Sequence, residues 1–273
     1  MTYSPAQRCL DILELLAEAP DGLPLSRVGA MLALPKSATH RFLALLEARG
    51  FVEQDAPGGH YRLTFKLPRL AFRFLATSGT TDVAQPVLDA LARSSGELAR
   101  LAVVDGDTLT WVAKAQGAPP GLRYDDHAGR EVVLHATATG KAWLATLPEE
   151  RALAIVERAG LVGRGHYGPN AVTSIAALRR ELRATRRRGY AEAVEEGEPG
   201  VAAVAAAVLA RSGHAVATLS VAGPRARMSA PRRAEHGRLA ILAARELGDL
   251  WPARSQSSIA APVASPPPQA AVA

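Results

Sequence analysis

Apolar residues recur at helical spacing through the first fifty positions. Leu10, Ile12, Leu13 and Leu16 mark one stripe, opened by Ser4 as N-cap and Pro5 at the first helical position and closed before Pro20. Leu25, Val28, Met31 and Leu32 repeat the spacing in a shorter helix, and Pro35 starts a third that Gly50 closes. The pattern then changes: "FVEQDAPGGHYRLTF" holds two strand-forming runs around Ala56-Pro57-Gly58-Gly59, a hairpin signal. Helix, helix, helix, hairpin is the order of a winged helix-turn-helix.

The third helix separates its residues by chemistry. At about 100° per residue, Ala38, Phe42, Leu45 and Leu46 gather on one side and Lys36, Ser37 and His40 on the other, with Thr39 and Arg41 flanking the polar side. A catalytic constellation would need a nucleophile, a base and an orienting group converging in a pocket. Polar groups on the exposed first turns of a helix suit the DNA major groove instead, where Ser, His and Lys reach base edges and Thr and Arg hold phosphates. At the wing, His60 and Arg62 bracket Tyr61, and one of them is expected along a minor groove or a phosphate. Between Leu34 and Leu75, seven basic residues face three acidic ones, an excess that would supply salt-dependent affinity for DNA.

Further along, Leu67, Leu70, Ala71, Phe74 and Leu75 form another apolar helical stripe, and 82–98 reads as a helix with Pro86 near its start. "RLAVVDGDTLTWVAKA" alternates around Asp105-Gly106, which predicts a hairpin. Helices are expected at 136–145, 148–159, 174–188 and 231–250. Five arginines, 179, 180, 183, 186 and 187, stripe the third of these opposite Ile175, Leu178, Leu182 and Thr185, most simply a solvated face. The uncharged, Pro-, Ala- and Ser-rich 254–273 reads as a disordered tail.

Composition narrows the function. A chain of 273 residues with 48% hydrophobic content is long enough for two folded units, and 32 Lys plus Arg against 26 Asp plus Glu lean toward anionic partners. The single Cys9 leaves no internal disulfide and no multi-cysteine zinc site. With no leader-like opening and no apolar run of about 18 residues, a cytoplasmic protein without a membrane partner is expected. Gly163, Gly165 and Gly168 spell GxGxxG but follow a helix rather than a strand, and "HATATGKA" has His135 and Ala142 where a phosphate-binding loop needs Gly and Ser or Thr. His127 and His135 lack the further ligands a metal would require, so no cofactor or metal is expected.

Three segments carry a family resemblance. "RCLDILELLAEAPDGLPLSRVGAMLALPKSATHRFLALLEARGFVEQDAPGGHYRLT", "VLHATATGKAWLA" and "GYAEAVEEGEPGVAAVAAAVLARSGHAVATLSVAGP" resemble, in order, segments of the IclR-type bacterial transcriptional regulators. The resemblance implies an α+β chain: a winged helix-turn-helix over 1–65, a linker helix over 66–81 that helps pair subunits, and a GAF-like effector-binding domain with an antiparallel sheet over 82–253. It makes "GVAAVAAAVLA" a strand although its alanines favour helix. It also places an effector pocket at Leu122 and Tyr124 in a loop, Ala138, Thr139 and Gly140 in the "HATATGKA" motif, Ala193 and Glu195 on an approach strand, Ala203 on the next and Ser220 on the last. Members often carry acidic residues just before the Glu pair, where this chain has Ala193 and Val194, and the alanines leave an apolar wall. A larger or aromatic organic acid is the expected ligand.

The function so implied is a ligand-responsive, sequence-specific regulator of a catabolic operon, working as a dimer or tetramer on a double-stranded operator. The alternative is an enzyme whose α/β catalytic domain a winged module localises.

Overall fold

The computed structural model describes residues 4–56, 59–124, 132–161 and 167–252, and the chain divides into two compact units that part between Thr77 and Ser78. The tail at 254–273, His127, Gly163, Gly165 and the Pro57-Gly58 tip of the hairpin lie outside the described residues.

The first unit packs α1 (Pro5–Ala17), α2 (Leu25–Met31) and α3 (Lys36–Ala48) around Ile12, Leu16, Val28, Phe42, Leu43 and Leu46. Ser4 starts α1 with a reciprocal cap: its Oγ accepts from the Gln7 N–H at 3.3 Å, and Oε1 of Gln7 accepts from the Ser4 N–H at 2.8 Å. Strands β2 (Val52–Gln54) and β3 (His60–Leu63) form the expected hairpin, and β1 (Leu23–Pro24), too short to carry a periodicity, pairs with the other edge of β3. Helix α4 (Lys66–Ser78) follows. Of its expected apolar stripe, Leu70, Ala71 and Phe74 are exposed and Leu67 and Leu75 half-buried.

The inward face of α3 is rotated from the one its apolar residues suggest. Thr39, Phe42, Leu43 and Leu46 are buried, whereas Leu45 is 50% exposed. Leu10 and Met31, also expected inside, are exposed as well.

The second unit is one antiparallel sheet with helices on both faces. Its strand order is β5-β4-β8-β7-β6, from β4 (Leu98–Asp105), β5 (Thr108–Gln116), β6 (Ala191–Val194), β7 (Val201–Leu209) and β8 (Ala215–Pro224). Helices α5 (Thr80–Ser95) and α9 (Ala230–Leu250) cover one face over Leu88, Leu101, Val204, Leu219 and Val221. Helices α6 (Ala138–Leu144), α7 (Glu149–Ala159) and α8 (Ile175–Arg188) cover the other.

The alanine-rich run is strand β7, and its small side chains have a packing reason. β7 lies between β8 and β6 with α9 on one face and α6 on the other, so both helices come close only over small residues. Gly248 of α9 makes the tightest approach, since a Cβ there would stand 2.3 Å from the Leu209 carbonyl oxygen. Tertiary packing overrides local helix preference here.

Candidate functional site

The first site is the outer face of α3. Lys36, Ser37, His40 and Arg41 are all exposed there, over the first two turns of the helix. Thr39 departs from the expectation that it flanks this face. It is fully buried, its Oγ1 donates to the Pro35 carbonyl at 3.0 Å, and it packs beside Gly29 of α2. A hydroxyl so placed is satisfied within α3, against Gly29 of α2, and has no reach to a phosphate.

This difference has a direct test. Thr39→Val is expected to cost the first unit about 1 kcal/mol of stability, the worth of one hydrogen bond, while leaving the salt dependence of DNA binding unchanged. Arg41→Ala is expected to leave stability alone and to flatten the plot of log affinity against log salt by about 0.9, one phosphate contact. Chemical denaturation and anisotropy over a salt series read the two effects separately.

On the wing, Arg62 is already engaged. Its Nε lies 2.7 Å from Glu53 and its Nη1 3.0 Å from Asp55, and these carboxylates raise its pKa. His60 is exposed, with Nδ1 3.3 Å from the Asp21 carbonyl oxygen. Of the two, His60 has no acidic partner among the described residues, whereas Arg62 would first have to leave its own.

The second site is the sheet face beneath α6, and it divides the expected pocket residues. Ala138, Ala193 and Ala203 come together there, with Ala142, Ala191 and Ala205, into an apolar cluster between α6 and the strands. Ser220 faces the same side, because it pairs with Ala205 across the sheet. It is buried, and its Oγ has no hydrogen-bond partner among the described residues; the same holds for Oγ1 of Thr218, two positions along. Thr139 and Gly140 are also buried, Gly140 so tightly that a Cβ would meet the Leu134 backbone at 2.3 Å. The helix begins with Thr137, whose Oγ1 accepts from the Gly140 N–H at 3.0 Å.

Leu122 and Glu195 lie elsewhere. Both line a groove of about 640 Å³ with Arg225 and Arg233. Glu195 stands just past the end of β6 at a φ of 51°, and its carboxylate is taken by the Gly200 N–H at 3.1 Å and by Arg225 at 3.2 Å. These contacts brace the turn from β6 into β7. Leu122 is exposed and offers its carbonyl oxygen to Arg227.

The residue that sequence reasoning missed is Arg100. It pairs in register with Ser220, is buried, and sets its guanidinium 3.9 Å from the centroid of the Trp111 ring and 5.4 Å from that of Tyr124. A guanidinium near two aromatic rings, in register with the buried Ser220 hydroxyl, has the fork shape that matches a planar carboxylate. Arginine within the apolar run "LARLAVV" was the available signal, since a charge on a buried strand needs a reason.

Behind this face lies a buried ion pair. Lys141 of α6 is wholly enclosed, its Nζ 2.7 Å from both oxygens of Glu196 and 3.8 Å from Glu181. Burial raises the Glu196 pKa more than Lys141 lowers it. Burial, then the nearby Lys141, lowers the pKa of His135; burial, then Arg232, lowers that of His236.

These histidines set a pH response. With folded pKa values below the usual imidazole value of about 6.5, both stay neutral in the folded state while the unfolded chain takes up protons. Their contribution is therefore complete above that pH and is lost as pH falls below it. Glu196 acts in the opposite sense, its contribution falling as pH rises through its raised pKa. The second unit is expected to melt lower at about pH 5.5 than at about pH 7.5, and His236→Gln is expected to flatten part of that fall. Calorimetry across the range checks it.

Comparison with known proteins shows the family of both units. The C-terminal model of the bacterial transcriptional regulator IclR matches residues 73–248, and the IclR helix-turn-helix model matches residues 5–56. The chain is 30% identical over 241 residues to the transcriptional repressor IclR of Escherichia coli, covering 88% of this chain and 87% of that protein. It is 34% identical over 240 residues to the regulator BhcR of Paracoccus denitrificans, covering 88% and 84%. An IclR homologue of Microbacterium hydrocarbonoxydans, solved with 4-hydroxybenzoate, superposes at a TM-score of 0.72 with 24% identity, over 90% of this chain and 98% of that one. The enzyme alternative finds no support in these likenesses.

Proposed function

The chain belongs to the IclR family of bacterial DNA-binding transcriptional regulators, and from that premise we propose that its effector is an aromatic organic acid whose carboxylate binds Arg100. The observation that carries this reading is the Arg100 guanidinium, 3.9 Å from the Trp111 ring centroid and 5.4 Å from that of Tyr124, in register with Ser220 on a face that also holds an alanine wall. A flat ring fits an apolar wall, and one fixed cation with two hydroxyls supplies orientation. The 4-hydroxybenzoate held by the Microbacterium homologue is a ligand of that class.

On DNA, Lys36, Ser37 and His40 read base edges while Arg41 and the wing hold phosphates. One such helix reads few base pairs, so the working species is a dimer, or a tetramer built from dimers, spanning two half-sites in the cytoplasm. Ligand changes DNA affinity by favouring one arrangement of the paired winged units, with a coupling of about 1 to 3 kcal/mol.

Calorimetric titration of the full chain with benzoate-type acids and their amides tests the effector class. Acids are expected to bind and amides to fail, with Arg100→Gln erasing the difference. Amides binding as tightly as acids would sink the reading.

A further inference from the structure

We propose that the second unit carries another small-molecule site, apart from the Arg100 face, that takes a neutral planar aromatic molecule bearing a hydroxyl group. The site is a cavity of about 550 Å³ between the segment holding Leu134 and His135, the C-terminal half of α7 at Ile155 and Val156, and Tyr167. It shares no residue with the alanine cluster or with the Arg100 and Ser220 pair. Its volume falls within the range of ligand pockets, roughly 300 to 1,000 Å³.

One polar group inside it stands out. His135 is only 3% exposed, lines the cavity, and its Nε2 has no hydrogen-bond partner among the described residues. A buried ring nitrogen in that state carries an uncompensated desolvation cost, which a hydrogen-bonding occupant would remove.

The surroundings define the occupant's chemistry. Burial and Lys141 keep the imidazole neutral, so the site offers no cation to an anion. At the rim, Arg158 and Asp107 satisfy each other at 2.7 Å. A neutral imidazole presents Nε2 as donor in one tautomer and acceptor in the other, and a hydroxyl group answers both. The Tyr167 ring stands edge-on to His135, with centroids 5.2 Å apart and planes at 82°, and Val132, Leu134, Ile155 and Val156 make the remaining walls apolar. A flat aromatic ring packs against such walls with offset or edge contacts. Phenol is the simplest molecule that meets these conditions.

The test uses the full chain labelled with ¹⁵N-histidine, titrated with phenol and read through the histidine ring nitrogens, with His135 identified by its absence in His135→Phe. A saturable shift of the His135 Nε2 signal is expected. Phenol affinity should fall about tenfold in His135→Phe, the loss of one hydrogen bond. It should vanish in Ala159→Trp, which plugs the cavity from an exposed position on α7 and leaves the core untouched. Ser220→Ala should bind phenol as the parent does. A His135 signal that phenol does not move would overturn the proposal. So would binding that survives Ala159→Trp but is lost in Ser220→Ala, because phenol would then sit on the Arg100 face. The two sites stand on different residues, so either can fail alone.

Discussion

Lys141→Met is expected to lower the stability of the second unit by about 3 to 5 kcal/mol, the usual cost of removing one partner from a buried ion pair. The side chain is wholly enclosed, and both oxygens of Glu196 lie 2.7 Å from its Nζ, so the variant strands a carboxylate that is itself nearly buried. Glu181, 3.8 Å from the same nitrogen, would add repulsion between two acids left without a cation. In a unit of this size the change corresponds to a melting point roughly 10 °C lower. The pair also ties α6 to the turn after β6, so a loosened pair should weaken ligand binding by the same route. Lys141→Met combined with Glu196→Leu is expected to regain most of the loss, because two apolar groups of similar volume carry no desolvation cost. Calorimetric unfolding of the single and double variants decides it. A double variant no more stable than the single would show that Lys141 contributes something other than its partnership with Glu196.

Gly140→Ala is the second large effect. The added Cβ would stand 2.3 Å from both Cα and O of Leu134, and backbone atoms cannot turn aside as a side chain can. The start of α6 must then move away from the segment beneath it. That motion breaks the bond from the Gly140 N–H to Thr137 Oγ1 and the bond from Thr137 Oγ1 to the Val133 carbonyl, at 3.0 and 2.8 Å. A loss of about 3 kcal/mol is expected, at the upper end of overpacking costs. Denaturant unfolding with intrinsic tryptophan fluorescence measures it, since Trp143 lies in the same helix. A loss below about 1 kcal/mol would mean that the Leu134 segment yields freely.

Much of the fold was legible because local rules and packing agree. The Ser4 cap, the Asp105-Gly106 turn and the helices α6 to α9 all stand close to their expected places, since each is specified by residues near in sequence. Thr39 was misplaced for a reason that spacing cannot reveal. A polar residue reads as outward, yet this hydroxyl satisfies itself on the carbonyl four residues back and so packs inward without cost, turning the whole face of α3. Strand β7 failed on propensity and was recovered only through the family resemblance, because its alanines answer to helices that approach from distant parts of the chain.

The pocket was less legible than the fold. The motif located α6 and the alanine wall, but Arg100 meets Ser220 only through the pairing of β4 with β8, across more than a hundred residues of sequence. Glu195, expected in the pocket, has its carboxylate engaged by the Gly200 N–H and Arg225 at the turn from β6, away from the alanine cluster. Residue type announced chemistry in each case, and three-dimensional neighbours decided which chemistry.

The proposed coupling of sequence-specific DNA binding to control by an organic acid resides in one chain. Its most direct test is a reciprocal titration of the full chain by fluorescence anisotropy, on labelled DNA from upstream of its own gene, with scrambled competitor and an aromatic acid such as 4-hydroxybenzoate. Competitor-resistant binding is expected, with an affinity that the acid changes by about 5- to 150-fold and DNA changing the affinity for the acid by the same factor. Equal displacement by scrambled DNA, or an acid affinity that is the same with and without DNA, would contradict it.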